Sequence, residues 1–180
     1  MKIYVIRHGE DIPGFRGGWS TLDLTPLGIS QAENFAKRVI DEKLDFDYIL
    51  TSDLPRALHT ALIISNTTGH RIEINRNWRE YNNGELAGMR DDIATEKYPG
   101  LTFATIGYEE RYPNGETPKE YHHRILKALE EIKLLNKNVL IVTHGGVMDV
   151  LAHELNGISW RNNSPLKKHY QNTEMIEFDI

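Results

Sequence analysis

Two short apolar runs that end in the same way stand out in the hydrophobic pattern of the chain. Ile3–Ile6 and Val139–Val142 each hold four apolar residues, mostly β-branched, followed by one polar residue, a histidine and a glycine. Runs of this length and composition are typical of buried β-strands. We therefore predict two strands that deliver His8 and His144 into turns at their carboxyl ends.

Apolar stripes at helical spacing predict four longer helices between and after these strands. The first helix begins at Thr25-Pro26, and the second has Ser52 or Asp53 as a cap before Pro55 and a stop at Gly69. The third begins at the capping box Thr117-Pro118-Lys119-Glu120, and the fourth follows the His144 strand and ends at Gly157. The predicted core-facing residues of the first helix are Ala32, Phe35, Ala36, Val39 and Ile40, and those of the second are Ala57, Leu58, Ala61, Leu62 and Ile64. Those of the third are Tyr121, Ile125, Ala128, Leu129, Ile132 and Leu135, and those of the fourth are Val147, Val150, Leu151 and Leu155.

Three further strands complete a predicted α/β chain. They cover about Asp47–Thr51, Arg71–Arg76 and Thr173–Asp179, and the alternation of the last is typical of a sheet edge. Residues 81–118 have poor periodicity and many glycines and prolines, with one short helix predicted near Asp91–Tyr98. We expect a single domain over 1–180 with a lid or binding insert at 81–118.

Composition narrows the function classes. The chain has 180 residues, 39% hydrophobic and 26% charged, and a net charge of −5, which offers no long-range attraction to nucleic acid or anionic lipid. It has no cysteine, which excludes disulfide scaffolds and thiol catalysis. No apolar run approaches the length that spans a membrane. We expect a cytoplasmic protein without a nucleic-acid or membrane partner; its oligomeric state is open, and a dimer is one possibility.

The two histidines predict a phosphate site. Carboxyl ends of neighbouring parallel strands meet at one sheet edge, so His8 and His144 can face one small ligand. Arg7 precedes His8, and Arg56 falls in the first turn of a helix that starts at a strand end, where amide groups also favour an anion. A single His-Gly pair usually marks only a turn, and an arginine at a helix start is usually solvated, but their combination favours a site.

This set of residues permits phosphoryl transfer without a metal or cofactor. We hypothesise that His8 attacks the phosphoryl group to form phosphohistidine, which water then hydrolyses. Arg7, Arg56 and His144 would stabilise the negative charge of the phosphoryl group. The leaving oxygen needs a proton, and Glu80 is the first candidate donor, with Glu85 in reserve. The remaining predicted substrate contacts are Gly145, Arg16 and Trp19. A surface salt bridge is the ordinary alternative for Glu80.

Other titratable residues are predicted to be structural. We expect His122 and His123 to be solvated on an early turn of their helix. Asp149 and His153 lie four residues apart, but no third ligand is spaced to complete a metal site, so a solvated pair is expected.

Several ordered motifs resemble the histidine phosphatase superfamily, the phosphoglycerate mutase-like family with the RHG signature. They are Arg7-His8-Gly9-Glu10, Leu24-Thr25-Pro26-Leu27-Gly28-Ile29-Ser30-Gln31-Ala32, Ser52-Asp53-Leu54-Pro55-Arg56-Ala57, Glu80-Tyr81-Asn82-Asn83-Gly84, Pro113-Asn114-Gly115-Glu116-Thr117 and Thr143-His144-Gly145-Gly146. The resemblance implies a three-layer α/β/α sandwich with a mostly parallel sheet. It also implies His8 as the phosphorylated residue, Arg7, Arg56 and His144 as phosphate ligands, and Glu80 as proton donor.

The chain departs from this resemblance near the first motif. Family members often have Thr where Asp11 stands, Asn at Gly14 and an acidic residue at Ala87; Arg16, Trp19, Arg90 and Arg111 are candidate substitutes for the missing contact. The preferred function is a phosphatase acting on a small phosphorylated metabolite. The alternatives are a phosphoglycerate-type mutase, a phosphoprotein or phosphohistidine phosphatase, a non-catalytic phospholigand-binding module and, least favoured, a metal-dependent hydrolase.

Overall fold

A computed structural model describes residues 1–164 and 168–180. Its strands are β1 (Lys2–Arg7), β2 (Tyr48–Thr51), β3 (Ile72–Ile74), β4 (Val139–Thr143) and β5 (Met175–Asp179). Its α-helices are α1 (Pro26–Asp41), α2 (Pro55–Thr68), α3 (Asp91–Lys97), α4 (Pro118–Leu135) and α5 (Gly145–Leu155). Two short 3-10 turns, Arg76–Trp78 and Gly84–Leu86, lie between β3 and α3. The predicted types and order are confirmed, with β3 and β5 shorter than expected.

One five-stranded sheet in the order β3-β2-β4-β1-β5 organises the chain. Its pairings are parallel except for that of β5, which runs antiparallel along β1 at the edge. Arg7 is paired with Thr143 in the β1–β4 register. The residues that follow, His8 and His144, therefore leave the sheet side by side at the carboxyl ends of its two central parallel strands.

The two faces of the sheet bury two separate apolar layers. Val5 and Ile141 face a core shared with α4 and α5, whereas Ile6 and Val142 face a smaller core shared with α1 and α2. This alternation follows from the two-residue period of side chains along a strand. The arrangement is the three-layer α/β/α sandwich with a mostly parallel sheet that the sequence predicted.

The helix starts follow the predicted capping except in α2. Thr25 accepts a hydrogen bond from the Gly28 amide at 3.0 Å, and Thr117 forms the reciprocal capping box with Glu120. The prediction for α2 was wrong, because its N-cap is Leu54, whose side chain makes no capping bond. Ser52 and Asp53 were the expected caps, but both side chains bond to other parts of the chain.

A close approach between two backbone segments explains why positions 9 and 28 are both glycine. A Cβ atom on Gly9 would overlap the carbonyl oxygen of Gly28, and one on Gly28 would overlap the carbonyl oxygen of Glu10. The absence of side chains lets the start of α1 pack directly on the turn that follows β1. This contact fixes the backbone immediately after His8.

Some predicted core positions lie at the surface. Ile40, Leu62 and Leu135 are 53%, 44% and 53% exposed. Ile40 and Leu135 lie at or next to the last residue of their helices. Leu62 marks the margin of an apolar stripe that is narrower than the sequence indicated.

Three titratable residues expected in solvent are buried. His122 contacts Glu154 at 2.8 Å and Tyr108 at 3.0 Å, so only His123 is exposed as predicted. Asp149 and His153 are 1% and 5% exposed. Residues after α5 fold back over this helix, and the indole of Trp160 donates to Asp149 at 2.9 Å. The prediction failed because sequence periodicity does not reveal a returning loop.

The irregular segment between β3 and α4 contributes to the larger core. Leu86, Phe103, Ile106 and Tyr112 are buried in the same cluster as Trp78. The helix predicted near Asp91–Tyr98 is present as α3. The apolar anchors are spaced by turns and not by a helical or strand period, which explains the weak pattern.

None of the helices in residues 1–164 and 168–180 is both long and apolar enough to cross a bilayer. Within the same ranges, no three His, Cys, Asp or Glu side chains are grouped as metal ligands.

Candidate active site

The two predicted histidines meet at the carboxyl edge of the sheet. Their ring centroids lie 5.1 Å apart with the planes at 60°. Both are almost fully buried, at 3% exposure for His8 and 0% for His144. The β1–β4 register produces this proximity, because both residues directly follow paired positions.

Each nitrogen of the His8 ring has one defined neighbour. Nδ1 lies 2.6 Å from the carbonyl oxygen of Gly9, which can only accept, so Nδ1 carries the proton. Nε2 therefore carries the lone pair of the ring, and it accepts a hydrogen bond from Nε of Arg56 at 3.1 Å. Burial, with the nearby Arg56 and Arg7 cations, lowers the pKa of His8 well below its usual value. The ring is therefore a neutral imidazole whose Nε2 lone pair accepts from Arg56.

Arg56 is a buried cation held largely by backbone carbonyls. Its Nη2 donates to the Gly18 carbonyl at 2.8 Å, and its Nη1 donates to Ser20 Oγ at 3.2 Å. Its Nε also lies 3.4 Å from the carboxylate of Asp11. Burial lowers the pKa of Arg56, and Asp11 acts against that shift. The side chain is thus fixed before any ligand arrives.

Arg7 and His144 present polar atoms that the described residues leave unpaired. Nη1 of Arg7 donates to the Tyr170 carbonyl at 2.7 Å, but its Nε is buried with no hydrogen-bond partner in 1–164 or 168–180. His144 Nε2 lies 2.8 Å from Ser52 Oγ, and its Nδ1 likewise has no partner in those ranges. Burial and then the Arg56 cation lower the pKa of His144 well below its usual value. An oxyanion would supply acceptors for such atoms.

Glu80 is positioned by donors from three parts of the chain. Its Oε1 accepts from the Tyr121 hydroxyl at 2.9 Å and from the Tyr81 amide at 3.1 Å, and its Oε2 accepts from the Gly146 amide at 3.0 Å. Burial raises the pKa of Tyr121 well above its usual value, so its hydroxyl stays a donor. The close contact with Gly146 places Glu80 beside the turn that carries His144.

These residues line one cleft of about 340 Å³. Its walls include Arg7, His8, Arg56, Glu80, Gly145 and Gly146, together with Asp11, Phe15, Tyr81, Phe103, Lys168, His169 and Tyr170. The first six come from four separate sequence motifs. The cleft therefore brings together four of the five side chains predicted to act on phosphate. The fifth, His144, is fully buried and its ring packs against that of His8.

Several other predicted contacts lie outside the cleft. Arg16 pairs with Asp91 at 3.2 Å, and Trp19 donates its indole N–H to the Glu80 carbonyl at 2.7 Å. Neither is among the described lining residues, so the structure does not bring them to the predicted substrate mouth. Trp19 instead supports the backbone of Glu80.

The reserve proton donor and the other substitute cations have surface partners. Glu85 accepts from Tyr98 at 2.6 Å and from Asn114 at 2.7 Å, away from the cleft. Arg90 pairs with Asp92 and Arg111 with Glu120. Glu80 is among the described lining residues of the cleft and Glu85 is not, which favours Glu80 as the proton donor.

Sequence reasoning missed three contributors to the site. Ser52 was assigned as a helix cap, Tyr121 as a core residue, and Gly146 as part of a turn. Ser52 follows β2, whose neighbour β4 carries His144, but this adjacency requires the strand order. Tyr121 carried a usable signal, because a buried tyrosine hydroxyl needs a hydrogen-bond partner.

Comparison with known proteins agrees with this geometry. Residues 3–180 match the family model described as histidine phosphatase superfamily (branch 1). The chain belongs to this superfamily. The resemblance drawn from the motifs is thereby confirmed, and the protein is a phosphatase-family enzyme.

Individual relatives include both phosphatases and mutases. A 2,3-bisphosphoglycerate-dependent phosphoglycerate mutase of Cytophaga hutchinsonii is 34% identical over 169 residues, covering 87% of this chain and 78% of the relative. An adenosylcobalamin/alpha-ribazole phosphatase of Escherichia coli is 28% identical over 166 residues, covering 88% and 80%. The crystal structure of the alpha-ribazole phosphatase from Shigella flexneri superposes with a TM-score of 0.85 at 26% identity, covering 100% of this chain and 91% of the other.

Neighbouring glycines provide a test of the Glu80 position. A Cβ atom on Gly146 would overlap Oε1 of Glu80, whereas one on Gly145 would lie 3.8 Å from Arg7, an ordinary contact. We expect Gly146→Ala to displace the carboxylate and lower kcat on a phosphomonoester by at least about tenfold, a cost of about 1.4 kcal/mol. Gly145→Ala is the matched control and should be the milder change. Equal losses in steady-state kinetics would contradict this placement.

The buried imidazole predicts a loss of stability in acid. Because the folded-state pKa of His8 is depressed, the unfolded chain binds more protons below the ordinary histidine value of about 6.5, so stability falls as pH drops through that region. We expect His8→Asn to flatten the slope between pH 7 and 5 by up to about 1.4 kcal/mol per pH unit. The exposed control, His123→Asn, should keep the wild-type slope in urea unfolding. An unchanged slope in His8→Asn would contradict the burial argument.

Proposed function

We propose that this protein hydrolyses a small phosphomonoester through a phosphohistidine intermediate on His8. The observation that carries the proposal is the hydrogen bond between Nδ1 of His8 and the Gly9 carbonyl at 2.6 Å. It fixes the tautomer with the lone pair on Nε2, in a residue that lines the cleft. A neutral imidazole in this state is a competent nucleophile at neutral pH.

The proposed reaction has two balanced steps. In the first, Nε2 of His8 forms a bond to phosphorus, the ester P–O bond breaks, and the Glu80 carboxyl gives its proton to the leaving alkoxide. In the second, the Glu80 carboxylate takes a proton from water as its oxygen attacks phosphorus, and the P–N bond breaks to release phosphate and neutral His8. Microscopic reversibility supports one carboxyl group in both roles.

Charge stabilisation comes from the chain itself in this proposal. Arg7 and Arg56 face the cleft, and His144 lies within 5.1 Å of His8, measured between ring centroids. Nε of Arg7 is a buried donor without a hydrogen-bond partner in residues 1–164 and 168–180, and a phosphoryl oxygen would accept from it. His144 stays a predicted phosphate ligand. Fixed groups of this kind need no reorganisation as charge develops in the transition state.

The size and cover of the cleft favour a small metabolite. A volume of about 340 Å³ is at the lower end of the range for small-molecule sites. Tyr81 and Phe103 belong to the segment 81–118 and line the cleft, which supports a lid or binding insert there. A phosphoprotein or phosphohistidine substrate remains the alternative that a more open site would favour. The cytoplasmic location stays a prediction from the sequence.

A phosphoglycerate-type mutase is the second candidate. The relative from Cytophaga hutchinsonii, which bears that name, is 34% identical to this chain. A mutase shares the first step but returns the phosphoryl group to a second substrate hydroxyl. Release of inorganic phosphate, measured against isomerisation of a phosphoglycerate, separates the two reactions.

The nucleophile is tested by His8→Ala with a radiolabelled phosphomonoester. We expect the loss of acid-labile labelling of the protein and at least about a thousandfold lower turnover, or about 4 kcal/mol of barrier. His59→Ala is the control, since His59 is partly exposed and pairs with Asp23. Near-normal turnover by His8→Ala would overturn the proposed mechanism.

The proton donor is tested by the leaving-group dependence of Glu80→Gln. We expect a much larger loss of kcat on alkyl phosphates than on p-nitrophenyl phosphate, because the nitrophenolate leaves without a proton. Glu85→Gln is the matched control and should retain the wild-type ratio. Equal slowing of both esters in Glu80→Gln would remove Glu80 from the donor role.

A further inference from the structure

An acidic residue stands in the proposed phosphate cleft without a role in the chemistry above. Asp11 lines the cleft, and one of its carboxylate oxygens lies 3.4 Å from Nε of Arg56. The same Nε donates to Nε2 of His8. A negative charge is therefore placed next to the atom that would attack phosphorus.

The two carboxylates among the described lining residues differ in the polar contacts that they already make within the chain. Glu80 accepts three hydrogen bonds from within the chain, on both of its oxygens. The Asp11 side chain has the ion pair with Arg56 as its polar contact among residues 1–164 and 168–180, and it is 23% exposed. Its carboxylate thus retains accepting capacity on the cleft side.

Neighbouring cations offset only part of the Asp11 charge. The guanidinium of Arg56 is shared among Gly18, Ser20, His8 and Asp11. The Lys168 ammonium, also on the wall, is paired with Glu174 at 2.5 Å. With the phosphate bound by Arg7 and Arg56 as proposed, the alcohol portion of a substrate would lie in the cleft whose wall includes Asp11.

We propose that Asp11 determines the substrate class by accepting a hydrogen bond from the alcohol portion, and that the preferred substrates are phosphomonoesters of amino alcohols. A substrate ammonium gains a charge-assisted hydrogen bond from the carboxylate, a hydroxyl gains a neutral one, and a substrate carboxylate is repelled. This inference rests on the proposed phosphatase activity and adds a specificity-determining residue to it. Asp11 also occupies one of the positions at which the sequence departs from its family resemblance.

Three esters of nearly equal size isolate the charge of the alcohol portion. They are phosphoethanolamine with an ammonium, 2-hydroxyethyl phosphate with a hydroxyl, and phosphoglycolate with a carboxylate. For the wild-type enzyme we expect kcat/KM to fall in that order, with at least about a tenfold difference between the first and the last. A preference for phosphoglycolate would overturn the proposal without any variant.

The variant Asp11→Asn keeps the size of the side chain and removes its charge. We expect the ratio of kcat/KM for phosphoethanolamine over phosphoglycolate to collapse to within about threefold. A purely structural role would lower all three values together and leave the ratio unchanged, which would overturn the proposal. Asp23→Asn is the matched control, because Asp23 pairs with His59 and is not among the described lining residues.

Asp11→Thr provides a second variant if the amide disturbs folding, and the same collapse of the ratio is expected.

Activity on p-nitrophenyl phosphate separates failure of the specificity assignment from failure of the proposed function. If the wild-type enzyme hydrolyses it through His8 but the ratio does not respond to Asp11, only the specificity assignment is overturned. If the wild-type enzyme neither hydrolyses any ester nor becomes labelled, the proposed function fails and this inference with it.

Discussion

The parallel pairing of β1 with β4 is the constraint on which the site depends. It sets Arg7 opposite Thr143, and each strand then breaks into a histidine at the same sheet edge. A shift of the register by one residue would turn alternate side chains to the opposite layer. The apolar layers on both faces penalise such a shift, because Val5 and Ile6 belong to different cores. The packing of the sandwich therefore secures the distance between the two imidazoles.

Around these imidazoles the chain concentrates positive charge in a buried place. Arg56 is 2% exposed and is balanced mainly by carbonyl oxygens and by the single carboxylate of Asp11. Burying a cation is costly unless it is hydrogen-bonded, and these acceptors reduce the cost. Burial, and after it the same cations, lowers the pKa of each histidine ring, and both rings are therefore neutral. One electrostatic arrangement thus serves both anion attraction and the availability of a nitrogen lone pair.

Local sequence patterns predicted those parts of the site that follow directly from a strand or a helix start. His8, His144 and Arg56 belong to this group, because each stands one to three residues from a recognisable boundary. The positions of Arg16 and Trp19 were not predictable in the same way, since the loop that holds them has no period. Ser52 and Asp149 show a second limit. Their partners come from a neighbouring strand and a returning loop, and only the tertiary arrangement reveals them.

The strand order has a consequence for how the chain is made. Both neighbours of β1 in the sheet, β4 and β5, come from residues after 138, whereas β2 and β3 pair with each other earlier. During synthesis from the amino terminus, the first strand emerges long before either partner. Its apolar run Ile3–Ile6 then stays unpaired on both edges while more than a hundred residues are added. The pocket can therefore assemble only after the residues of β4 have been synthesised, and until then the apolar β1 segment is open to non-native contacts.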